Sequence, residues 1–147
     1  YDAKGLMIAA IRDPNPVVFI DERWLYRLEG PVPREIYEVE IGRASVRRAG
    51  RDATLVAASY MAFEAAKAAE TLSREGIDIE LIDLRTIKPL DEETIVASIR
   101  KTGRLVIADG GWRSFGVAAE VAAVLRRRGW TGRPTPCSLT CALRQVA

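Results

Sequence analysis

The sequence alternates short apolar runs with amphipathic runs at a constant interval. Three apolar runs begin at residues 54, 79 and 104, which places them 25 residues apart in each case. Runs of four or five residues that are each followed by a helical pattern are typical of parallel strands joined by helices. Such crossovers are right-handed, and the strands need cover on both faces. The sequence therefore predicts an α/β fold, a three-layer αβα sandwich with a mostly parallel sheet.

Helices are predicted after each of these strands. An alanine-rich helix is expected over residues 61–73, and another over residues 117–127. The middle helix begins at Asp91, whose carboxylate is suited to capping the first turn, and ends at Gly103. A last short strand is expected at residues 137–140.

The first part of the chain carries a different pattern. Asp2 is placed to cap a helix over residues 3–12, and prolines stop that helix before an apolar run at residues 17–20. Strands with apolar residues on both faces belong in the middle of a parallel sheet, yet the chain supplies no neighbouring strand upstream. Residues 1–23 are therefore interpreted as the last helix and strand of another domain.

The predicted domain organisation follows from this break. Residues 24–52 are interpreted as a connector, which contains an alternating run at residues 37–41 that is typical of a short edge strand. Residues 53–147 are predicted to form the α/β domain. Tyr1 is an unusual first residue and indicates a cleaved or partial chain.

Charge and composition exclude several classes of function. The chain has 22 basic and 20 acidic residues and a net charge of +2, with no basic stripe of the kind that nucleic-acid binding requires. No apolar run approaches the roughly 18 residues of a membrane span. Cys137 and Cys141 are interpreted as reduced thiols of a cytosolic protein. With no histidine in the chain, acid–base chemistry near pH 7 would need a shifted carboxylate or lysine.

Charged residues crowd the end of the strand that begins at residue 79. Small molecules bind parallel sheets at the carboxyl ends of the strands, so a charged substrate is one interpretation of this cluster. The favoured alternative is an ion-pair cluster at a domain or subunit boundary. Ser59, at the end of the preceding strand, lacks a partner base for nucleophilic catalysis. The four charged residues are Asp83, Arg85, Lys88 and Asp91.

A glycine-rich turn covers residues 109–116, between a predicted strand and a predicted helix. Backbone amides at such a helix start can hold an anion, but the glycine spacing fits neither the dinucleotide fingerprint nor the P-loop. The favoured interpretation is a tight turn at Asp109 that places Trp112 and Phe115 in an interface.

Several segments resemble one family of enzymes. Residues 83–91, Asp-Leu-Arg-Thr-Ile-Lys-Pro-Leu-Asp, resemble a segment of the transketolase carboxyl-terminal domain. The likeness is closest to the beta subunit of the thiamine-diphosphate-dependent 2-oxo acid dehydrogenases, meaning the pyruvate, branched-chain and acetoin enzymes. It extends over residues 1–136 in the family's order, whereas residues 141–147 do not follow it. Residues 1–23 resemble the end of that family's pyrimidine-binding domain.

The resemblance implies a parent enzyme of two alpha and two beta subunits. Such an enzyme decarboxylates a 2-oxo acid on thiamine diphosphate with Mg²⁺ and transfers the acyl group to a lipoyl group on an acyltransferase. Its catalytic and cofactor-binding residues lie in the amino-terminal domain, so the resemblance assigns no catalytic, cofactor-binding or metal-binding residue to this chain.

The resemblance also implies that the carboxyl-terminal domain serves mainly in association with the second beta subunit and in seating the acyltransferase's subunit-binding domain. The isolated chain is therefore expected to be an inactive cytoplasmic homodimer. The interface candidates are Asp83, Arg85, Lys88, Asp91, Asp109, Trp112 and Phe115.

Two alternatives stay open. The same domain occurs in transketolase and in deoxyxylulose-phosphate synthase, which act on sugar phosphates. A freestanding flavodoxin-like module that binds a ligand at the turn of residues 109–116 belongs to a different class of protein.

Overall fold

A computed structural model describes residues 1–112, 114–132 and 135–138. Within these residues the chain forms four helices, five strands and a short 3₁₀ turn at Arg23–Leu25. The elements in chain order are α1 (Asp2–Arg12), β1 (Ser45–Arg48), β2 (Ala53–Ala57), α2 (Tyr60–Arg74), β3 (Ile79–Asp83), α3 (Glu92–Thr102), β4 (Leu105–Asp109), α4 (Val117–Arg127) and β5 (Thr135–Ser138).

The five strands form one sheet in the order β1-β3-β2-β4-β5. Strands β2, β3, β4 and β5 are parallel, and β1 pairs antiparallel with β3 at the edge. The chain runs outward from β2 to β3 and then returns past β2 to β4. Because both crossovers are right-handed, this reversal places α2 on one face of the sheet and α3 on the other. The predicted three-layer α/β fold is confirmed.

Two apolar layers hold the sandwich together. The layer against α2 is rich in alanine, which lets this helix lie close to the sheet. The layer against α3 and α4 consists of larger branched side chains. Its buried members are Val56, Ile82, Leu84, Ile95, Ile99, Leu105, Ile107, Val121 and Leu125.

The predicted strand at residues 17–20 does not form. This segment is extended but lies beside no other strand in the described chain, and Val18 and Ile20 are 85% and 83% exposed. A strand requires a neighbouring backbone to bond its N–H and C=O groups, and apolar composition alone does not supply one.

Three further predictions about secondary structure are wrong: the location of the edge strand, the cap of α1 and the start of the last strand. The edge strand is β1, whereas the predicted segment at residues 37–41 buries Val39 in the region of Gly5 in α1. Helix α1 is capped by Tyr1 without a side-chain bond, because the Asp2 carboxylate faces arginines instead. The last strand, β5, begins two residues earlier than predicted. Among the described helices, none is long and apolar enough to cross a membrane.

Candidate functional site

The sheet has a crevice where the order of its strands reverses. The connection from β2 leads toward β3, and the connection from β4 leads toward β5, so the carboxyl ends of β2 and β4 diverge. In open α/β sheets, ligands bind in this crevice. A cavity of about 500 Å³ lies there, with Ser59 and Tyr60 on one side and Asp109 on the other. Trp24 from the connector also lines it.

Ser59 lies at the sharp turn from β2 into α2. Its backbone has φ 54° and ψ −132°, a conformation that residues with a side chain seldom adopt. Strained serines of this kind are catalytic in some hydrolases, where a histidine accepts the hydroxyl proton. This chain contains no histidine, so the turn gives no support for nucleophilic catalysis within it.

Asp83 and Arg85 belong to an ion-pair network at the sheet edge. Arg47 of β1 donates from Nε and Nη2 to Oδ2 of Asp83 at 3.2 and 3.1 Å. The same guanidinium lies 2.5 Å from Oδ2 of Asp2, and Arg85 Nη2 lies 2.9 Å from Oδ1 of Asp2. The network therefore joins α1 to β1 and to the end of β3.

Sequence reasoning found two of the four members of this network. Asp2 and Arg47 were missed because no local pattern links them to Asp83, which lies 36 residues from Arg47. The apparent capping position of Asp2 was the one available signal, and it indicated a different role.

The remaining two charged residues of the predicted cluster lie elsewhere. Lys88 is exposed and forms no ion pair within the described residues. Asp91 is buried and caps α3, accepting from the backbone N–H of Thr94 at 3.0 Å and from its hydroxyl at 2.7 Å. Its second oxygen also accepts from the backbone N–H of Ala44 at 2.9 Å. The structure thus divides the cluster into an ion-pair network and a helix cap.

The hydrogen bonds of Asp91 determine its titration. Burial raises the pKa of the carboxyl group, but the bonds from Thr94 and Ala44 stabilise the charged form more strongly. The net result is a pKa below the ordinary value, so Asp91 stays ionised across the neutral range. A permanently charged carboxylate with occupied oxygens is suited to structure rather than to proton transfer.

Asp109 organises the glycine-rich turn from within. Its Oδ1 accepts from the backbone N–H of Gly111 at 2.9 Å, and its Oδ2 accepts from that of Ala118 at 3.0 Å. The amide of Ala118 belongs to the first turn of α4, where an external anion would bind. A Cβ at Gly116 would lie 2.4 Å from the backbone oxygen of Trp112. These contacts support a tight turn and count against a ligand site of the flavodoxin type.

The tight turn exposes two large aromatic side chains. Trp112 is 78% exposed, and Phe115 is fully exposed with its backbone held at φ 64°. Aromatic side chains in contact with water are typical of surfaces that bind another protein. The prediction that these residues form an interface stays a prediction.

The described residues do not fit a diphosphate with its metal ion. Nowhere in the described parts of the chain do three histidine, cysteine, aspartate or glutamate side chains lie close enough to hold a metal. The helix start at α4, which suits a phosphate, carries the Asp109 carboxylate. The start of α4 is therefore not suited to holding a diphosphate. Cys141 lies outside the described residues.

Comparison with known proteins gives the family. Residues 42–145 match the family model described as transketolase, C-terminal domain. The chain belongs to this family. The match confirms the resemblance inferred from residues 83–91 and extends further toward the carboxyl end than residue 136, where we expected the likeness to stop.

Two similar proteins are beta subunits of pyruvate dehydrogenase. The chain is 43% identical over 143 residues to the pyruvate dehydrogenase E1 component subunit beta of Staphylococcus epidermidis. The aligned residues make up 97% of this chain and 44% of the Staphylococcus protein. The corresponding protein of Bacillus subtilis is 46% identical over 129 residues, covering 87% and 40% respectively. The chain thus spans less than half the length of these relatives.

A solved structure shares the fold. A split gene transketolase, in the form of an inactive beta4 tetramer, superposes with a TM-score of 0.64 and is 34% identical. The comparison covers 69% of this chain and 33% of that one.

Proposed function

We propose that this chain is the carboxyl-terminal part of the beta subunit of a thiamine-diphosphate-dependent 2-oxo acid dehydrogenase. In this proposal the chain serves subunit association and acyltransferase docking, while the chemistry belongs to other parts of the enzyme. Identity of 43% to 46% with pyruvate dehydrogenase beta subunits, over most of this chain, supports the choice of parent.

One observation carries the proposed role. At the carboxyl edge of the sheet the carboxylates of Asp83, Asp91 and Asp109 are already bonded to arginine or to backbone amides. The large side chains most exposed in the turn after β4 are apolar, namely those of Trp112 and Phe115. Exposed aromatic side chains beside carboxylates that already hold structural bonds are suited to binding a protein surface.

The proposed partners follow from the proposed parent. They are an alpha subunit, a second beta subunit and the subunit-binding domain of a lipoyl acyltransferase. Thiamine diphosphate and Mg²⁺ act in the parent enzyme, and we place the assembly in the cytoplasm. The domain division at residues 23 and 52 is likewise proposed.

The likeness to a split gene transketolase favours a second candidate, a sugar-phosphate-transferring parent. A separate alpha subunit does not distinguish the two candidates, because a transketolase can also be divided between two genes. Docking to an acyltransferase does distinguish them, since the docking is expected only for a dehydrogenase.

We expect the chain to bind an acyltransferase subunit-binding domain. The chain is titrated separately with the subunit-binding domains of the pyruvate, branched-chain and acetoin acyltransferases in an isothermal titration calorimeter. One of the three domains should give a saturable heat of binding. Saturation with none would favour the transketolase parent. As a control, thiamine diphosphate with Mg²⁺ and pyruvate should give neither heat nor decarboxylation, and micromolar cofactor binding would contradict the assignment of chemistry to other parts of the enzyme.

We expect self-association to depend on the two aromatic side chains of the turn. The double variant Trp112→Ala, Phe115→Ala should weaken dimerisation about tenfold or more, since exposed aromatic residues contribute most at interfaces. Sedimentation velocity over a concentration series measures this. Val32→Ala removes a half-exposed apolar side chain from the connector and should leave the dimer unchanged. This role would be refuted if the unsubstituted chain were strictly monomeric, or if the double variant dimerised as strongly as the unsubstituted chain.

A further inference from the structure

The cavity at the β2–β4 crevice has the form of a small-molecule site. Its volume of about 500 Å³ lies within the usual range for such sites, and its floor is made of buried side chains such as Val56, Leu84 and Ile107. Trp24 lines it from the connector, with its ring centroid 6.2 Å from that of Tyr60 and the two planes at 40°. The cavity is open to solvent on one side, since Trp24 is 74% exposed.

The charge of the cavity has one sign. The charged residues among its described lining are Glu22 and Asp109, both carboxylates. Each oxygen of Asp109 accepts one backbone N–H and keeps a free lone pair. Glu22 accepts from the backbone N–H of Trp24 at 3.5 Å, a long contact that leaves most of its bonding capacity free.

We propose that this cavity binds a small organic cation with an apolar body, such as an aromatic or alkyl amine. The apolar body replaces water against the floor, which is the favourable part of binding in a concave site. The ammonium group faces the two carboxylates and the rings of Trp24 and Tyr60, and aromatic faces attract cations. Sugar phosphates and 2-oxo acids are anions and are repelled by the same lining.

One feature of the cavity opposes this selectivity. The amino terminus of α2 begins at Tyr60, in the wall of the cavity, and it carries about half a positive charge. The two carboxylates carry two full negative charges. The balance therefore favours a cation, and the helix start reduces the preference without reversing it.

A titration with matched ligands tests the proposal on the full chain. Amide NMR shifts are followed with 2-phenylethylammonium, with its neutral isostere 2-phenylethanol and with the anion phenylacetate. We expect the ammonium ion to bind about tenfold more tightly than the alcohol and the anion to bind most weakly, with shifts at residues 58–61 and at Gly110. Equal affinity for ammonium and alcohol, or shifts confined to other residues, would overturn the proposal.

Two variants assign the recognition to named side chains. Glu22→Gln should weaken ammonium binding about fivefold and leave the alcohol unchanged, because it removes charge and keeps shape. Trp24→Ala should weaken both ligands, since it removes a wall. Glu35→Gln changes a carboxylate outside the cavity and should alter neither affinity. Unchanged ammonium binding in Glu22→Gln would refute the carboxylate's role.

Discussion

Replacing Gly50 with alanine is expected to destabilise the fold by about 3 kcal/mol. The added Cβ would lie 2.2 Å from the carbonyl carbon of Ile79, 2.3 Å from the nitrogen of Glu80 and 2.5 Å from the oxygen of Ile79. All three atoms belong to the backbone of β3, at the two residues that pair with Ala53 and Thr54 of β2. A backbone bonded to a neighbouring strand cannot move aside as a flexible side chain can, so the turn before β2 must be displaced.

The displacement also affects a buried charge. The backbone N–H of Gly50 donates to Oε2 of Glu80 at 3.3 Å, and Lys101 bonds the same carboxylate. Burial raises the pKa of Glu80, but bonds from Lys101, Ser98 and Gly50 outweigh burial, and the net pKa lies below the ordinary value. Moving Gly50 removes one of these bonds from a carboxylate that is only 4% exposed, which adds to the cost.

Gly30 supplies the matched control for this substitution. A Cβ at Gly30 has no atom within 4 Å, so Gly30→Ala should change the free energy of unfolding by less than about 0.5 kcal/mol. Urea denaturation of both variants measures the difference, and a soluble yield that falls only for Gly50→Ala counts toward the same result. Equal stability of the two variants would show that the β1–β2 turn can shift at low cost.

Replacing Asp91 with alanine is expected to cost about 2 to 4 kcal/mol. The substitution removes the cap of α3, a loss of about 1 kcal/mol by itself. It also leaves the backbone N–H of Ala44 without its acceptor in a partly buried place, which costs about 1 to 3 kcal/mol more. Asp91 therefore stabilises both the start of α3 and the entry into β1.

The pH dependence of this contribution has a definite sign. The pKa of Asp91 is lower in the folded chain than in the unfolded chain, where it is about 3.9. Its contribution is therefore complete above the unfolded pKa and is lost as the pH falls through the folded pKa. Between pH 5 and pH 2, the free energy of unfolding should fall less for Asp91→Asn than for the unsubstituted chain. Protonation of Glu80 contributes part of this fall in both proteins.

Glu93 is the control for Asp91. It lies in the first turn of the same helix but is exposed, so Glu93→Gln should change stability by less than about 0.5 kcal/mol and keep the pH profile of the parent chain. Thermal unfolding at several pH values measures all of the variants. A loss in Asp91→Ala no larger than that in Glu93→Gln would rule out the double role of Asp91.

Local chemistry in the sequence determined the layered architecture and several of its boundaries. The 25-residue interval predicted β2, β3 and β4 with the helices between them, because apolar runs and amphipathic periods report directly on burial. Asp91 and Gly103 mark the ends of α3 for reasons that lie within a few residues: a side-chain acceptor for free amides, and a backbone at φ 71° that glycine adopts without strain.

Only the tertiary structure decided which distant groups meet. The pairing of Asp2 with Arg47 and Arg85, and of Arg47 with Asp83, joins residues that no local period connects. The same is true of Trp24, which lies against Tyr60 from a connector with no regular pattern. Residues 17–20 are apolar and were expected to form a strand, but they have no neighbouring strand in the described chain. A strand depends on a partner backbone, and apolar side chains alone do not provide one. Sequence periodicity reports whether a residue is buried, whereas long-range packing determines what buries it.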